Sequence, residues 1–399
     1  LSNRCGAIAV ASWQRMKATV SRPRSAWVEV DLEQFARNWE ILRKEVPAPV
    51  SLMFVAKDNA YGLGAVPAAR VALDHQADSL AVFTLGEAQE LRDAGITAPI
   101  LLLGERLAEE VPHVLELDLE PCVGSIELAE AFSKAARERS RPVAIHLKIN
   151  TGMNRFGFSW RSVESWAPKL KALPALEFRG ALSHFAQSDE LDKGFARTQS
   201  GRFEAVLDHL AAEGIRPRWI HHCNSGGVLD LPDAHFNRVR VGLLAQGVYP
   251  SEVCRRIDGI APVLSLRARI TAIQALEAGD TVGYGMRWRA EGPCRIGVLS
   301  IGYGDGYPRL RNQGHVLLHG HRVPLVGGVT MDALMVDLAT VPEARIGDEA
   351  VLLGSQGSER ITVQELASLR GTVTYDVLTG LRGRLPRVYR GGIGDGSPG

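Results

Sequence analysis

The chain has only five cysteines in 399 residues, Cys5, Cys122, Cys223, Cys254 and Cys294, and no two of them stand as CxxC. That removes both an even disulfide framework and the usual zinc spacings, and points to a reducing cytoplasm and no metal. A surplus of either charge is also missing: 46 Lys and Arg face 45 Asp and Glu, a formal net charge of +1, so charge suggests no nucleic-acid partner. No apolar run is long enough to span a bilayer. What is plentiful is apolar side chain, 45% of residues, in a chain long enough for two sizeable cores. The start, 1–24, mixes Arg4, Arg15, Lys17, Arg22 and Arg24 with no continuous apolar centre of signal-peptide type. It is expected to be a flexible extension outside the fold.

Short β-rich runs recur at 51–57, 80–84, 100–104, 120–123, 143–149, 176–183, 219–224 and 237–242. Helical periodicity separates them, for example at 86–94, 125–137 and 198–213. About eight strands alternating with helices predict an α/β fold, a closed (β/α)8 barrel of TIM type, over 25–262. After Pro262 the helical period nearly vanishes. Runs at 266–275, 294–301, 316–318, 323–329, 333–338 and 349–353, punctuated by Gly and Pro, predict a mostly antiparallel β-domain over 263–399, with one short helix at 362–369.

Residues 55–64 read Val-Ala-Lys57-Asp-Asn-Ala-Tyr61-Gly-Leu-Gly, so an apolar strand delivers Lys57 to its C-terminal end, directly before a glycine turn. An amine desolvated at the mouth of a barrel loses preference for its charged form and becomes a competent Schiff-base nucleophile toward a carbonyl cofactor such as pyridoxal phosphate. Taken alone, the motif fits a solvated loop lysine better. Its weight comes from the scaffold: Lys57, Lys148, Arg155, His184, Asn224, Ser225 and Arg240 all fall at or just after predicted strand ends. Barrel chemistry collects on that rim, and separate strand caps explain one such residue better than seven.

The motifs now carry a resemblance. Val-Ala-Lys57-Asp-Asn-Ala-Tyr61-Gly and Lys148-Ile-Asn-Thr-Gly-Met-Asn-Arg155-Phe-Gly-Phe resemble the cofactor-lysine motif and a distinctive internal signature of the alanine racemases, fold-type III pyridoxal phosphate enzymes. Ser183-His184-Phe-Ala, His221-His-Cys-Asn224-Ser225, Arg238-Val-Arg240-Val-Gly242, Gly283-Tyr284-Gly, Ile301-Gly-Tyr303-Gly-Asp-Gly-Tyr307 and Thr330-Met331-Asp332 follow in the family's order. The likeness runs from Arg24 to near the C-terminus.

What the resemblance implies is a two-base racemase interconverting L- and D-alanine, supplying D-alanine for peptidoglycan, as a cytoplasmic head-to-tail homodimer with shared sites. By resemblance Lys57 serves the D-substrate face and Tyr284 the L-substrate face, with His184 and Arg240 as the relay behind Tyr284. Tyr61, Ser225 and the backbone amides of Gly242 and Leu243 form the phosphate cup, and Asn224 and Tyr303 are further cofactor contacts. Arg240 also faces the pyridine nitrogen. Because it keeps its proton, it weakens the electron sink and disfavours transamination. Arg155 is assigned to the cofactor's phenolic oxygen and the substrate carboxylate, Met331 and Asp332 to substrate, and Lys148 to a carbamate that pairs with Arg155. For Tyr61 a packed aromatic, for Arg240 a strand-end salt bridge and for Lys148 an unmodified amine stay open as readings.

The chain departs from the family's pattern at Gly383, where several members carry a tyrosine, at Gly328, where an arginine often stands, and at Asn150 in place of a common aspartate. The two glycines suggest a wider access corridor and a serine or broader amino-acid racemase as an alternative. A fold-type III decarboxylase shares the barrel and lysine, but its cysteine-aspartate signature is not seen. A non-enzymatic carrier of pyridoxal phosphate lacks the β-domain.

Overall fold

The computed structural model describes residues 24–391. Residues 1–23 of the expected extension lie outside them. The chain divides into two compact units, one spanning Asp31–Val263 and the other combining residues 24–30 with 264–389.

In the first unit eight parallel strands run in the order Arg238–Val241, Ser51–Val55, Ser79–Val82, Ile100–Leu102, Glu120–Val123, Val143–Asn150, Leu176–Leu182 and Trp219–His221. The Arg240 N–H donates to Cys223 O at 3.0 Å, just beyond the last of these, so the sheet is nearly closed into the expected barrel. Strands such as Ser51–Val55, Ser79–Val82 and Ile100–Leu102 are buried at every residue, as parallel strands covered by helices must be. Helix Ile126–Glu138 shows the matching pattern: Ser125 caps its start, and Leu128, Ala129, Phe132 and Ala136 form its buried stripe. Behind Ser51–Val55 the Phe54 ring meets Trp39 edge-on at 5.5 Å and Phe35 at 5.7 Å. Such contacts contribute about 0.5–1.5 kcal/mol each beyond area burial and fix the strand that carries Lys57.

The second unit is built on an antiparallel sheet in which Leu264–Leu276 pairs with Ala26–Asp31, Cys294–Leu299 and Glu349–Gln356. One boundary and one helix differ from the sequence reading. The first strand, Ala26–Asp31, expected with the barrel, registers Ala26 against Ala268 in this sheet. Its partner is too distant in sequence for any local pattern to reveal. Besides the expected helix, found at Val363–Arg370, there is a second at Thr374–Thr379.

Candidate active site

Lys57 follows the buried strand Ser51–Val55 by two residues and opens a turn of unusual hand. Asp58, Asn59, Ala60 and Tyr61 have φ of 52, 53, 53 and 51°, four consecutive non-glycine residues in the left-handed region before Gly62. Each costs on the order of 1 kcal/mol there, so the turn must be held from outside. The Asp58 N–H donates to Glu87 Oε1 at 2.6 Å, the Ala65 N–H to Asn59 Oδ1 at 2.8 Å, and Gln246 Nε2 to Ala60 O at 2.7 Å. Glu87 also closes the capping box of helix Leu85–Asp93 with Thr84. One carboxylate thus joins the turn to the next βα unit.

The turn brings the buried Tyr61 ring over Gly242, where an added Cβ would lie 2.8 Å from it. Close by, the backbone N–H groups of Gly242 and Leu244 both reach Ser225 Oγ, at 3.4 and 3.3 Å. Leu243, singled out in the sequence, lies between these donors and begins the 3-10 turn Leu243–Gln246. Asn224 stands at the N-cap of Ser225–Asp230, its Oδ1 accepting from the Gly227 N–H at 3.0 Å and from Ser188 Oγ at 2.9 Å.

The same rim is rich in cations. Burial, then the charge of Arg155, lowers the Lys57 ammonium from its ordinary value, against the opposing pull of Glu87 and Asp58. Lys148 is pushed down to about 7, by burial first and then by Arg240 and Arg155, with Cys122 opposing. Lys148, Arg155, Ser183 and His184 line one small cavity of about 10 Å³.

Arg240 is buried, and burial draws its guanidinium down to about 10, which leaves it charged at neutral pH. Among the described residues no carboxylate pairs with it. Its Nη1 donates to His221 O at 2.8 Å and meets His221 Nδ1 at 3.2 Å. Its Nη2 donates to Ser183 O and His222 O, both at 3.0 Å, and meets His184 Nδ1 at 3.1 Å. Since a guanidinium only donates, His184 Nδ1 must accept, and its ring proton resides on Nε2. Burial and the charges of Lys148, Arg240, Arg155 and Lys57 hold the His184 imidazolium well below the ordinary histidine range, so the ring is neutral.

In the β unit Tyr284 occupies the tip of a hairpin between Thr281–Val282 and Trp288–Arg289. Gly283 and Gly285 flank it with φ of 74°, and its side chain is 83% exposed. Tyr284 lines a pocket of about 390 Å³ with Arg309, Arg311, Gln313 and Gly328. Two separate sequence motifs form one structure here: the N–H groups of Tyr303 and Gly304 donate to Thr330 O and Met331 O at 3.0 and 2.9 Å. Asp332 pairs with Arg384. Asp305, fully buried, takes both oxygens to Arg24 and also accepts from the Gly302 N–H. Arg24 is therefore fixed within the fold, which corrects its assignment to a flexible extension: its partner lies 281 residues away. Glu87, Gln246, Asp305 and Arg384 were not singled out in the sequence. Glu87 carried a local signal, three residues after Thr84, and Asp305 lies within the quoted 301–307 motif.

Comparison with known proteins points to one family. A family model described as "Alanine racemase, N-terminal domain" matches residues 30–250, and "Alanine racemase, C-terminal domain" matches 263–389. An alanine racemase of Carboxydothermus hydrogenoformans is 41% identical over 368 residues, covering 92% of this chain and 100% of that protein. Among solved structures, an alanine racemase of Clostridium difficile 630 superposes with a TM-score of 0.88 at 31% identity, covering 92% of this chain and 96% of that one. The alanine racemase of Bacillus anthracis with bound L-Ala-P gives 0.87 at 33%, covering 93% and 96%. With both units matched in order and almost the whole length aligned, the chain belongs to the alanine racemase family.

Proposed function

We propose that the protein interconverts L-alanine and D-alanine with pyridoxal phosphate bound at Lys57. The observation that carries this reading is the rim itself, where a lysine with a lowered pKa leads a strained turn into a glycine-lined cradle among Lys148, Arg155 and Arg240. The residues fit the cofactor. A phosphate dianion needs several donors and little bulk, and Ser225 Oγ, the Gly242 and Leu244 N–H groups and Tyr61 meet beside a position that has no room for a Cβ. The Leu243 amide, Asn224 and Tyr303 complete the proposed cofactor set.

Bound there, pyridoxal phosphate supplies the carbonyl that captures the amino group and the electron sink that acidifies Cα. Racemisation then asks for a proton removed on one face of Cα and another delivered on the opposite face. Lys57 serves one face and Tyr284 the other. Arg155 orients the substrate carboxylate through a fork of donors, with Met331 and Asp332 beside the substrate. His184 keeps its ring proton on Nε2 because Arg240 occupies Nδ1. Arg240, a permanent donor, would face the ring nitrogen of the bound cofactor and could not hand it a proton.

Since Lys57 belongs to the barrel unit and the exposed Tyr284 to the β unit, we place them together across a head-to-tail homodimer, Lys57 from one chain and Tyr284 from its partner. The cellular reading that follows is D-alanine supply for peptidoglycan in the cytoplasm. An added Cβ would meet nothing within 4 Å at Gly328 or Gly383, which supports a wider access corridor and keeps serine as a second substrate to test.

The deciding experiment is chiral analysis of L-alanine incubated with the loaded enzyme in D₂O. The expected product is D-alanine carrying deuterium at Cα. Unchanged alanine with racemised serine would shift the reading to a broader racemase, and release of carbon dioxide with an amine would replace it with a decarboxylase. Gly242→Ala sets a Cβ against Tyr61 and is expected to weaken cofactor binding by roughly tenfold or more, about 1.4 kcal/mol, in a spectroscopic titration.

Lys148 is proposed to carry a carbamate that pairs with Arg155. Its amine titrates near 7, so the neutral form that attacks carbon dioxide, losing a proton as the N–C bond forms, grows as pH rises through that value. Protein incubated with ¹³C-bicarbonate is expected to show a carbamate resonance at pH 8 that fades below pH 6 and is missing in Lys148→Ala. Its absence at pH 8 would end the assignment.

A further inference from the structure

A hydrogen-bonded chain leads from Arg240 through the interior of the barrel to the opposite rim. Arg240 Nη1 meets His221 Nδ1 at 3.2 Å, His221 Nε2 meets His146 Nδ1 at 2.9 Å, and His146 Nε2 meets Glu120 Oε2 at 2.9 Å. Both imidazoles are fully buried. Glu120 is the first residue of its strand, whereas Lys57, His184 and Ser225 follow the C-terminal ends of theirs. Its other oxygen accepts from Arg179 at 3.1 Å.

Both ends of this chain have fixed polarity. A guanidinium can only donate and a carboxylate can only accept, so each link forces the next. The Arg240 N–H requires an unprotonated His221 Nδ1, which puts the His221 proton on Nε2. That proton requires an unprotonated His146 Nδ1, which puts the His146 proton on Nε2, facing Glu120. A second proton on either ring would set two donors against each other. The electrostatics agree. Burial keeps His221 well below the ordinary range, and lowers His146 despite the pull of Glu120. Burial alone would raise the Glu120 carboxyl, but the His146 hydrogen bond and the charges of Arg179 and Arg238 leave it lowered and ionised.

One glycine makes the chain possible. His146 and His221 lie on strands separated by Leu176–Leu182, where Gly180 is paired with His146. A Cβ at position 180 would lie 2.2 Å from His146 Nδ1, the atom that accepts from His221. Only a residue without a side chain lets the ring reach across the intervening strand.

We propose that Glu120, His146 and His221, with Gly180 providing the passage, are positioning residues that fix the orientation of Arg240 from the far rim of the barrel. None touches the reacting atoms. They hold Nη1 in one direction, so that Nη2 stays aimed at His184 Nδ1 and the His184 proton stays on Nε2. The effect on catalysis rests on the racemase reading, whereas the tautomers do not.

The test therefore starts with the resting holoenzyme labelled with ¹³C,¹⁵N-histidine and examined by solid-state NMR at pH 7.5. His146 and His221 are expected as neutral Nε2–H tautomers. An Nδ1–H form or an imidazolium at either position overturns the proposal, whatever the enzyme's substrate proves to be. Glu120→Gln keeps the shape but lets the amide donate, and it is expected to introduce an Nδ1–H population at His146 and His221. Alongside, kcat is expected to fall roughly tenfold while KM changes by less than about twofold. Gly180→Ala changes none of the hydrogen-bonding residues themselves and is expected to lower kcat similarly by displacing the His146 ring. If both variants keep kcat within about twofold of the parent, the positioning role is refuted. If neither folds, the tautomers of the parent protein decide alone.

Discussion

Lys57→Ala is expected to lose more than about four orders of magnitude of racemase activity, because one substitution removes both roles proposed for this amine, anchoring the cofactor and serving one face of Cα. Tyr284→Phe, at an exposed hairpin tip, is expected to fold normally and to lose nearly as much. The informative experiment mixes the two inactive proteins and allows their subunits to exchange. In a head-to-tail dimer each mixed pair contains one site with both lesions and one with neither. Random exchange makes half of the dimers mixed, so about a quarter of parental activity should return. No recovery, in a mixture shown by mass to contain mixed dimers, would mean that Lys57 and Tyr284 act within one chain or not together.

Arg240→Ala is expected to have a large effect on both activity and stability. The buried guanidinium serves three carbonyl oxygens, those of Ser183, His221 and His222, and two imidazole nitrogens, on His184 and His221. Removing it takes a donor from each of these buried acceptors, though His221 O keeps the Ser183 N–H at 3.3 Å. Each such acceptor costs about 1–3 kcal/mol if water does not replace the lost group, so a net loss of about 3–5 kcal/mol is expected. For a unit of this size that corresponds to a fall in Tm of roughly 10 °C, which calorimetry would show. kcat is expected to drop by about 10²–10⁴, since His184 loses the contact that sets its tautomer. Arg240→Lys supplies donors without the planar fork, and should recover stability better than rate. Equal Tm and kcat for Arg240→Ala and the parent would contradict the central place given to this side chain.

The candidate site was readable in advance where its logic was local. Lys57, Ser225 and Arg240 stood out because each lies near the end of a short apolar run, and strand ends are visible in a period of two. Tyr284 was assigned only through the family resemblance; the structure sets it at a hairpin tip between two glycines with φ of 74°. The left-handed run from Asp58 to Tyr61 was not readable. Alanine and tyrosine do not favour that conformation, and the groups that hold it, on Glu87 and Gln246, arrive from other elements. Arg24 was misplaced for the same reason, since nothing near it in sequence announces Asp305.

The sequence by itself determined the alternation of strands and helices, the change to antiparallel β-structure after Pro262, the rim on which the polar residues gather, and the family. These follow from side-chain period, from turn residues and from motifs within a dozen positions of one another. The tertiary structure decided the rest: that Ala26–Asp31 pairs with Leu264–Leu276, that Arg24 and Arg384 converge on Asp305, and that Gly180 leaves room for His146 to reach His221. Each of these joins residues far apart along the chain. Hydrogen-bond polarity and steric exclusion act on atoms in contact, and no local pattern records which distant atoms the fold will bring together.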